Sequence, residues 1–134
     1  MVVKLSPSFG MAYMVKTKTF MKLGKEEFAR TQKVFENAGD KLNKITKDAD
    51  VNFVYSPKES KINIIAVPQK ASLKQVWNAT LEVLKMPEDY EYAQSIKYKD
   101  FNEETLIAKT IKAVKEAFRR FGDPENAEKV AKDL

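Results

Sequence analysis

The amino-acid sequence predicts an α+β fold, a two-layer sandwich in which an antiparallel sheet carries helices on one face. Three observations predict it. Two long stretches place apolar residues at helical spacing, a pair of β-branched runs flanks five turn-forming residues, and shorter alternating segments lie before and after them. The 134 residues are of single-domain size and are read as one domain spanning 1–134.

Taken in order, a short strand is expected at Val2–Leu5, with Ser6–Gly10 as its connecting loop. Met11–Phe20 alternates like a strand, with Met11, Tyr13 and Val15 facing a core and Lys16 and Lys18 following Ala12 and Met14 on the other face. Lys25–Thr46 is expected to be a helix, because Phe28, Phe35, Ala38, Leu42 and Ile45 form one apolar stripe. Glu26 and Glu27 at its start and Lys41, Lys44 and Lys47 near its end suit the helix dipole. Gly39 costs such a helix about 1 kcal/mol relative to alanine and marks a place for a bend.

Val51–Tyr55 and Lys61–Val67 read as a hairpin closed by Ser56–Ser60. Ser72 and Gln75 make a capping box for a helix that buries Leu73, Val76, Trp77, Leu81 and Leu84 and stops before Pro87. Glu88–Glu91 is expected to be a loop and Tyr92–Lys99 a further strand. Asn102 caps a last long helix, Glu103–Phe121, with Ile107, Ile111, Val114, Phe118 and Phe121 as its stripe and Gly122 as its terminator. Asp123 followed by Pro124 starts a short C-terminal helix. The resulting order, β-α-β-β-α-β-α, includes that of a split βαβ, ferredoxin-like unit.

Composition excludes several chemistries. The chain has no cysteine and no histidine, so disulfides, thiolate nucleophiles, Cys/His zinc sites and His-dependent triads are all ruled out within it. Four glycines, none in a G-x-x-x-x-G-K pattern, leave no glycine-rich phosphate loop. The acidic segment Glu88, Asp89, Glu91 lacks the spacing of a calcium loop, so no metal and no cofactor is expected. No apolar run approaches the roughly 20 residues of a membrane span, and Ser6-Pro7-Ser8 interrupts the N-terminus where a signal peptide needs continuous apolar sequence. A cytoplasmic protein without a membrane partner is the expectation.

Two surfaces are candidates for function. The formal net charge of +5 is concentrated in the first half, where residues 1–30 carry six basic and two acidic side chains. If helices cover one face of the sheet, the other presents Lys16, Lys18, Lys61, Lys97 and Lys99, a lysine-rich face that suits nucleic-acid phosphates. A solvated antiparallel face has the same appearance. The RNP1 pattern of RNA-binding sheets is absent, and arginine occurs three times, as Arg30, Arg119 and Arg120. The second surface is Phe118, Arg119, Arg120 and Phe121, where arginines flanked by rings suit a protein partner or a second copy of the chain; cations at a helix end also serve its dipole. The favoured expectation is a non-catalytic binding or regulatory protein acting through a protein surface. Nucleic-acid binding comes second, and an enzyme built on carboxylates and lysines comes last.

Overall fold

The alternation that begins at Tyr13 cannot continue past Lys16 without turning Phe20 to solvent, and the backbone changes period there. In the computed structural model, which describes residues 13–68, 93–120, 122–132 and 134, strand β1 is described over Tyr13–Val15 and is followed by a helical turn, α1, at Thr17–Phe20. The turn is fastened by the backbone N–H and hydroxyl of Thr19, which both donate to the Lys16 carbonyl, at 3.0 and 2.6 Å. It swings Phe20 into the core, where the ring is buried. From Tyr13 onward the single strand expected over Met11–Phe20 is therefore corrected to a strand that ends at Val15 plus a turn of helix, while Met11 and Ala12 lie outside the described residues.

Helix α2 (Lys25–Ile45) leads to strands β2 (Ala49–Ser56) and β3 (Lys61–Pro68), which form the expected hairpin in continuous antiparallel register. Strand β4 (Ala93–Lys97) pairs antiparallel with β3 and ends in a 3-10 turn, Tyr98–Asp100. Helices α3 (Glu103–Arg120) and α4 (Pro124–Lys129) close the chain. The fold is α+β, as its sequence predicts, with a sheet of four strands among the described residues and helices packed on it.

The sheet is mixed rather than antiparallel. β1 lies directly beside β2 in parallel, Tyr13 opposite Val51 and Val15 opposite Phe53, and the described strands run in the order β1-β2-β3-β4. A split βαβ unit holds a third strand between its parallel pair, so these strands do not adopt the ferredoxin-like order. The long α2 connection is what permits parallel pairing, which a short turn cannot bridge.

Both long helices cover the same sheet face. That face is built from Tyr13, Val15, Val51, Phe53, Tyr55, Ile62, Ile64, Ala66 and Ile96, all buried with Phe35, Ala38, Leu42 and Ile45 of α2. On α3 the fully buried stripe is Leu106, Ala113, Val114 and Ala117, rotated from the expected one, with Ile107 and Ile111 on its flank. The small side chains of Ala113 and Ala117 suit a close approach of the helix to its neighbours. Buried Thr31, Thr46 and Thr110 are satisfied by donating to carbonyls one turn back, at 2.6–2.8 Å.

The helix ends follow sequence chemistry. Asn102 Oδ1 accepts from the Thr105 N–H at 2.9 Å, and the Asn102 N–H is returned to Thr105 Oγ1 at 3.0 Å. Gly122, at φ 78°, ends α3, with the Gly122 N–H on the Arg119 carbonyl and that of Asp123 on the Phe118 carbonyl. Asp123 then caps α4. The expectations for Val2–Leu5, Ser6–Gly10, the helix after Ser72 with Trp77, the Glu88–Glu91 loop and Phe121 lie outside the described residues.

Two stability outcomes follow. Gly39 lies within unbroken α2, and a Cβ there meets only the Tyr13 hydroxyl, at an ordinary 3.7 Å. Gly39→Ala is expected to stabilise the protein by about 1 kcal/mol in urea unfolding. Phe35→Ala, which empties the centre of the ring cluster described below, is expected to cost about 3–5 kcal/mol in the same measurement.

Candidate nucleic-acid interface

Seven aromatic rings tie the elements together at one end of the sheet. Phe35 packs against Phe53 at 5.1 Å between centroids, against Phe101 at 5.7 Å and against Phe20 at 6.0 Å. Phe53 meets Tyr13, Phe20 meets Tyr55, and Tyr98 joins Tyr55 to Phe101. The Tyr98 hydroxyl donates to the Glu27 carbonyl at 2.9 Å and lies 3.0 Å from Thr31 Oγ1. Arg30 lies over the Tyr98 and Phe101 rings, 5.2 and 5.9 Å from their centroids, and donates to the Phe101 carbonyl.

These contacts bring α1, the 57–60 turn, the 3-10 turn and the starts of α2 and α3 to a single end of the molecule. The Tyr98 N–H donates to Ser60 O at 2.8 Å, and the Tyr55 N–H donates to Thr19 Oγ1 at 3.0 Å. Lysines collect there. Lys16 follows β1, with its Nζ 3.5 Å from Met14 Sδ, and Lys18 is exposed on α1. Lys61 starts β3 and Lys97 ends β4, where they are register partners. Lys99 is exposed in the 3-10 turn, and Lys22 and Lys58 are exposed nearby in sequence. All five lysines expected from sequence therefore share one end, though Lys18 and Lys99 sit on helical turns and not on strands. Lys22 and Lys58 were missed because they lie in turns, where strand parity says nothing.

The second face of the sheet is not an open lysine surface along its length. β3 is buried on both sides: Ile65 and Val67 are at most 3% exposed and Asn63 is 6% exposed, although all three alternate away from the α2–α3 face. The uninterrupted apolar run in Lys61–Val67 is the pattern of such a strand. The basic surface is thus an end and a rim, not a sheet.

Helix dipoles separate two groups of cations. Lys41 and Lys44 lie towards the C-terminal end of α2 and Arg119 and Arg120 in the last turn of α3, where positive charge is favourable within the molecule. The lysine-rich end instead coincides with the starts of both helices, the positive ends of their dipoles. Glu26, Glu27, Glu103 and Glu104 answer those dipoles from helices on the covered face.

The other expected surface has a different character. Phe118 is 4% exposed and its ring belongs to the core. Its position opposite the sheet, one turn beyond Val114, is what buries it. Arg119 is held in the chain by Glu116 at 2.7 Å and Glu128 at 3.6 Å. Arg120 is exposed.

Among the described residues no three carboxylates gather to hold a metal ion, and no helix is long and apolar enough to cross a membrane. Tyr13 has a hydroxyl whose pKa is raised, first by burial and then by the charge of Asp40. No protein family, curated protein or solved structure matches this chain.

Folded Tyr13 holds its proton more tightly than the unfolded chain does. Its contribution to stability is complete below the unfolded value of about 10 and is lost as pH rises through the higher folded value. The wild type is therefore expected to lose more stability than Tyr13→Phe between pH 8 and pH values above about 10. Urea titrations of both proteins check this, and equal losses would remove Tyr13 as a source of the pH dependence.

Proposed function

We propose that the protein is a non-catalytic binding protein, and that its contact surface is the lysine-rich end carrying Lys16, Lys18, Lys61, Lys97 and Lys99. The observation that carries this reading is the convergence of these lysines, from three separate stretches of the chain, on the end where both long helices begin. The helix starts are answered by their own glutamates, so it is the lysines around them that favour an anionic partner. A protein partner at Phe118 and Arg119 is the weaker reading, because the ring is buried and the guanidinium is already paired.

The anionic partner we favour is nucleic acid. Lysine neutralises phosphates as a point charge and releases counterions without reading bases, and this end has lysines with no base-edge arginine array. Binding that is tolerant of sequence and sensitive to salt is the behaviour this surface supports. An acidic protein surface is the competing partner, consistent with a regulatory role.

Fluorescence anisotropy with mixed-sequence single- and double-stranded DNA and RNA at low and moderate salt tests the reading. We expect binding that weakens steeply with salt, with a log–log slope that falls by about one when a contacting lysine is replaced by glutamine. No binding at low salt would sink the nucleic-acid reading. Binding unchanged by Lys18→Gln, Lys61→Gln and Lys97→Gln together would move the site elsewhere.

A further inference from the structure

Of the three arginines, Arg119 and Arg120 lie in the last turn of α3, and only Arg30 lies at the lysine-rich end. On an isolated helix Arg30 would answer Glu26, one turn back in the order that favours an i,i+4 pair. It makes no ion pair with Glu26 or with any other described residue. The guanidinium is turned instead to the 3-10 turn, 5.2 Å from the centroid of Tyr98 and 5.9 Å from that of Phe101. Those two rings are themselves stacked, at 23° between their planes, and the Phe101 carbonyl accepts from Arg30 Nη2.

A guanidinium carries its N–H donors as a rigid planar fork and accepts nothing. The Phe101 carbonyl occupies one terminal nitrogen, and the remaining donors have no partner in the described chain, although the residue is exposed. Two rings and a carbonyl thus fix the direction of the side chain and leave part of its fork unused. A free surface arginine gives up rotamer freedom when it binds; this one has given up much of it on folding. The non-bridging oxygens of a phosphate are acceptors only, at a spacing that two parallel N–H groups match. Lys33, one turn further along α2, and Lys99, between Tyr98 and Phe101 in sequence, are exposed and add positive charge. Glu27 and Asp100 are exposed there as well, so charge alone does not select this spot; the oriented fork does.

We propose that Arg30 is a preorganised phosphate fork of the basic end: its unused N–H donors take two oxygens of one backbone phosphodiester, with Tyr98 and Phe101 as the platform that holds it. The inference rests on the nucleic-acid reading for the polymer, and on the geometry of Arg30 itself for the phosphate. The lysines contribute point charges that tolerate many placements of the strand. Arg30 adds direction, and so sets where one phosphate sits on the rim.

Arginine side-chain Nε–Hε NMR of the intact protein tests the proposal, with Arg30→Lys assigning the Arg30 signal. That signal is expected to shift saturably with inorganic phosphate and with a single-stranded oligonucleotide. Arg30→Lys keeps the charge and loses the fork. It is expected to weaken oligonucleotide binding about three- to tenfold with the salt slope unchanged, and by the same factor for oligo-dA and oligo-dT. Arg30→Gln is expected to lower the slope by about one as well. Preserved backbone peak dispersion verifies folding of each variant, and the wild-type titration stands whichever of them folds. An Arg30 signal unmoved by an oligonucleotide that binds, or Arg30→Lys binding like the wild type, would make the residue a brace of the ring cluster and overturn the fork. The broader basic surface would survive either result. A loss that differs between oligo-dA and oligo-dT would make Arg30 a base contact and overturn the phosphate assignment. Phosphate shifts without oligonucleotide binding would retain the fork and overturn the nucleic-acid reading; shifts with neither ligand would overturn the fork. Equal shifts with a poly-glutamate peptide would assign it to carboxylates and overturn the proposal.

Discussion

The packing of Phe35 against Phe53, Phe101 and Phe20 is the contact on which the rest of the architecture depends. One ring on α2 touches the sheet, the turn that leads into α3 and the short helix after β1. Aromatic pairs at these separations add about 0.5–1.5 kcal/mol each beyond the area they bury. The cluster fixes the start of α2 above the hairpin end of the sheet. It also holds the residues next to the lysines: Phe20 stands two positions from Lys18, and Tyr98 and Phe101 bracket Lys99. A charged rim on mobile loops would spend binding free energy on ordering; here the backbone beneath most of the lysines is held by buried rings.

Much of this was legible in the chain. α2, the hairpin, the Asn102 cap, Gly122 and the Asp123-Pro124 start occupy the positions their chemistry predicts, because local signals of cap, turn and period suffice for them. Pairing of β1 with β2 was not legible, since strand partners are chosen by tertiary packing and the alternation of Tyr13–Val15 fits parallel and antiparallel neighbours alike. The turn at Thr17–Phe20 was concealed by continued alternation of lysine and threonine. Phe20, out of phase with Tyr13 and Val15, is the one residue in the segment that signals it.

The candidate surface was legible in part. Strand parity places Lys61 and Lys97 on the second face, and their register makes them neighbours. The same parity exposes Asn63 and Ile65, which the folded protein buries. Alternation describes a strand with one wet side, and β3 has none along most of its length. At the C-terminal end of α3 the contrast is with amphipathicity: Phe118 and Arg119 are adjacent in sequence but separated by a helical rotation that sends one inward and the other to its carboxylate partners.

The parallel seam between β1 and β2 has a consequence for how the molecule assembles. The β2–β3 ladder closes through a four-residue turn, and α3 is capped at both ends by its own neighbours, so each is specified locally. Pairing β1 with β2 closes a loop that spans the whole of α1 and α2, and among the described residues the ladder of Tyr13–Val15 is the return on that loop-closure entropy. The order of events that this implies is hairpin and helices first, with β1 joining last as Phe20 and Phe35 come together.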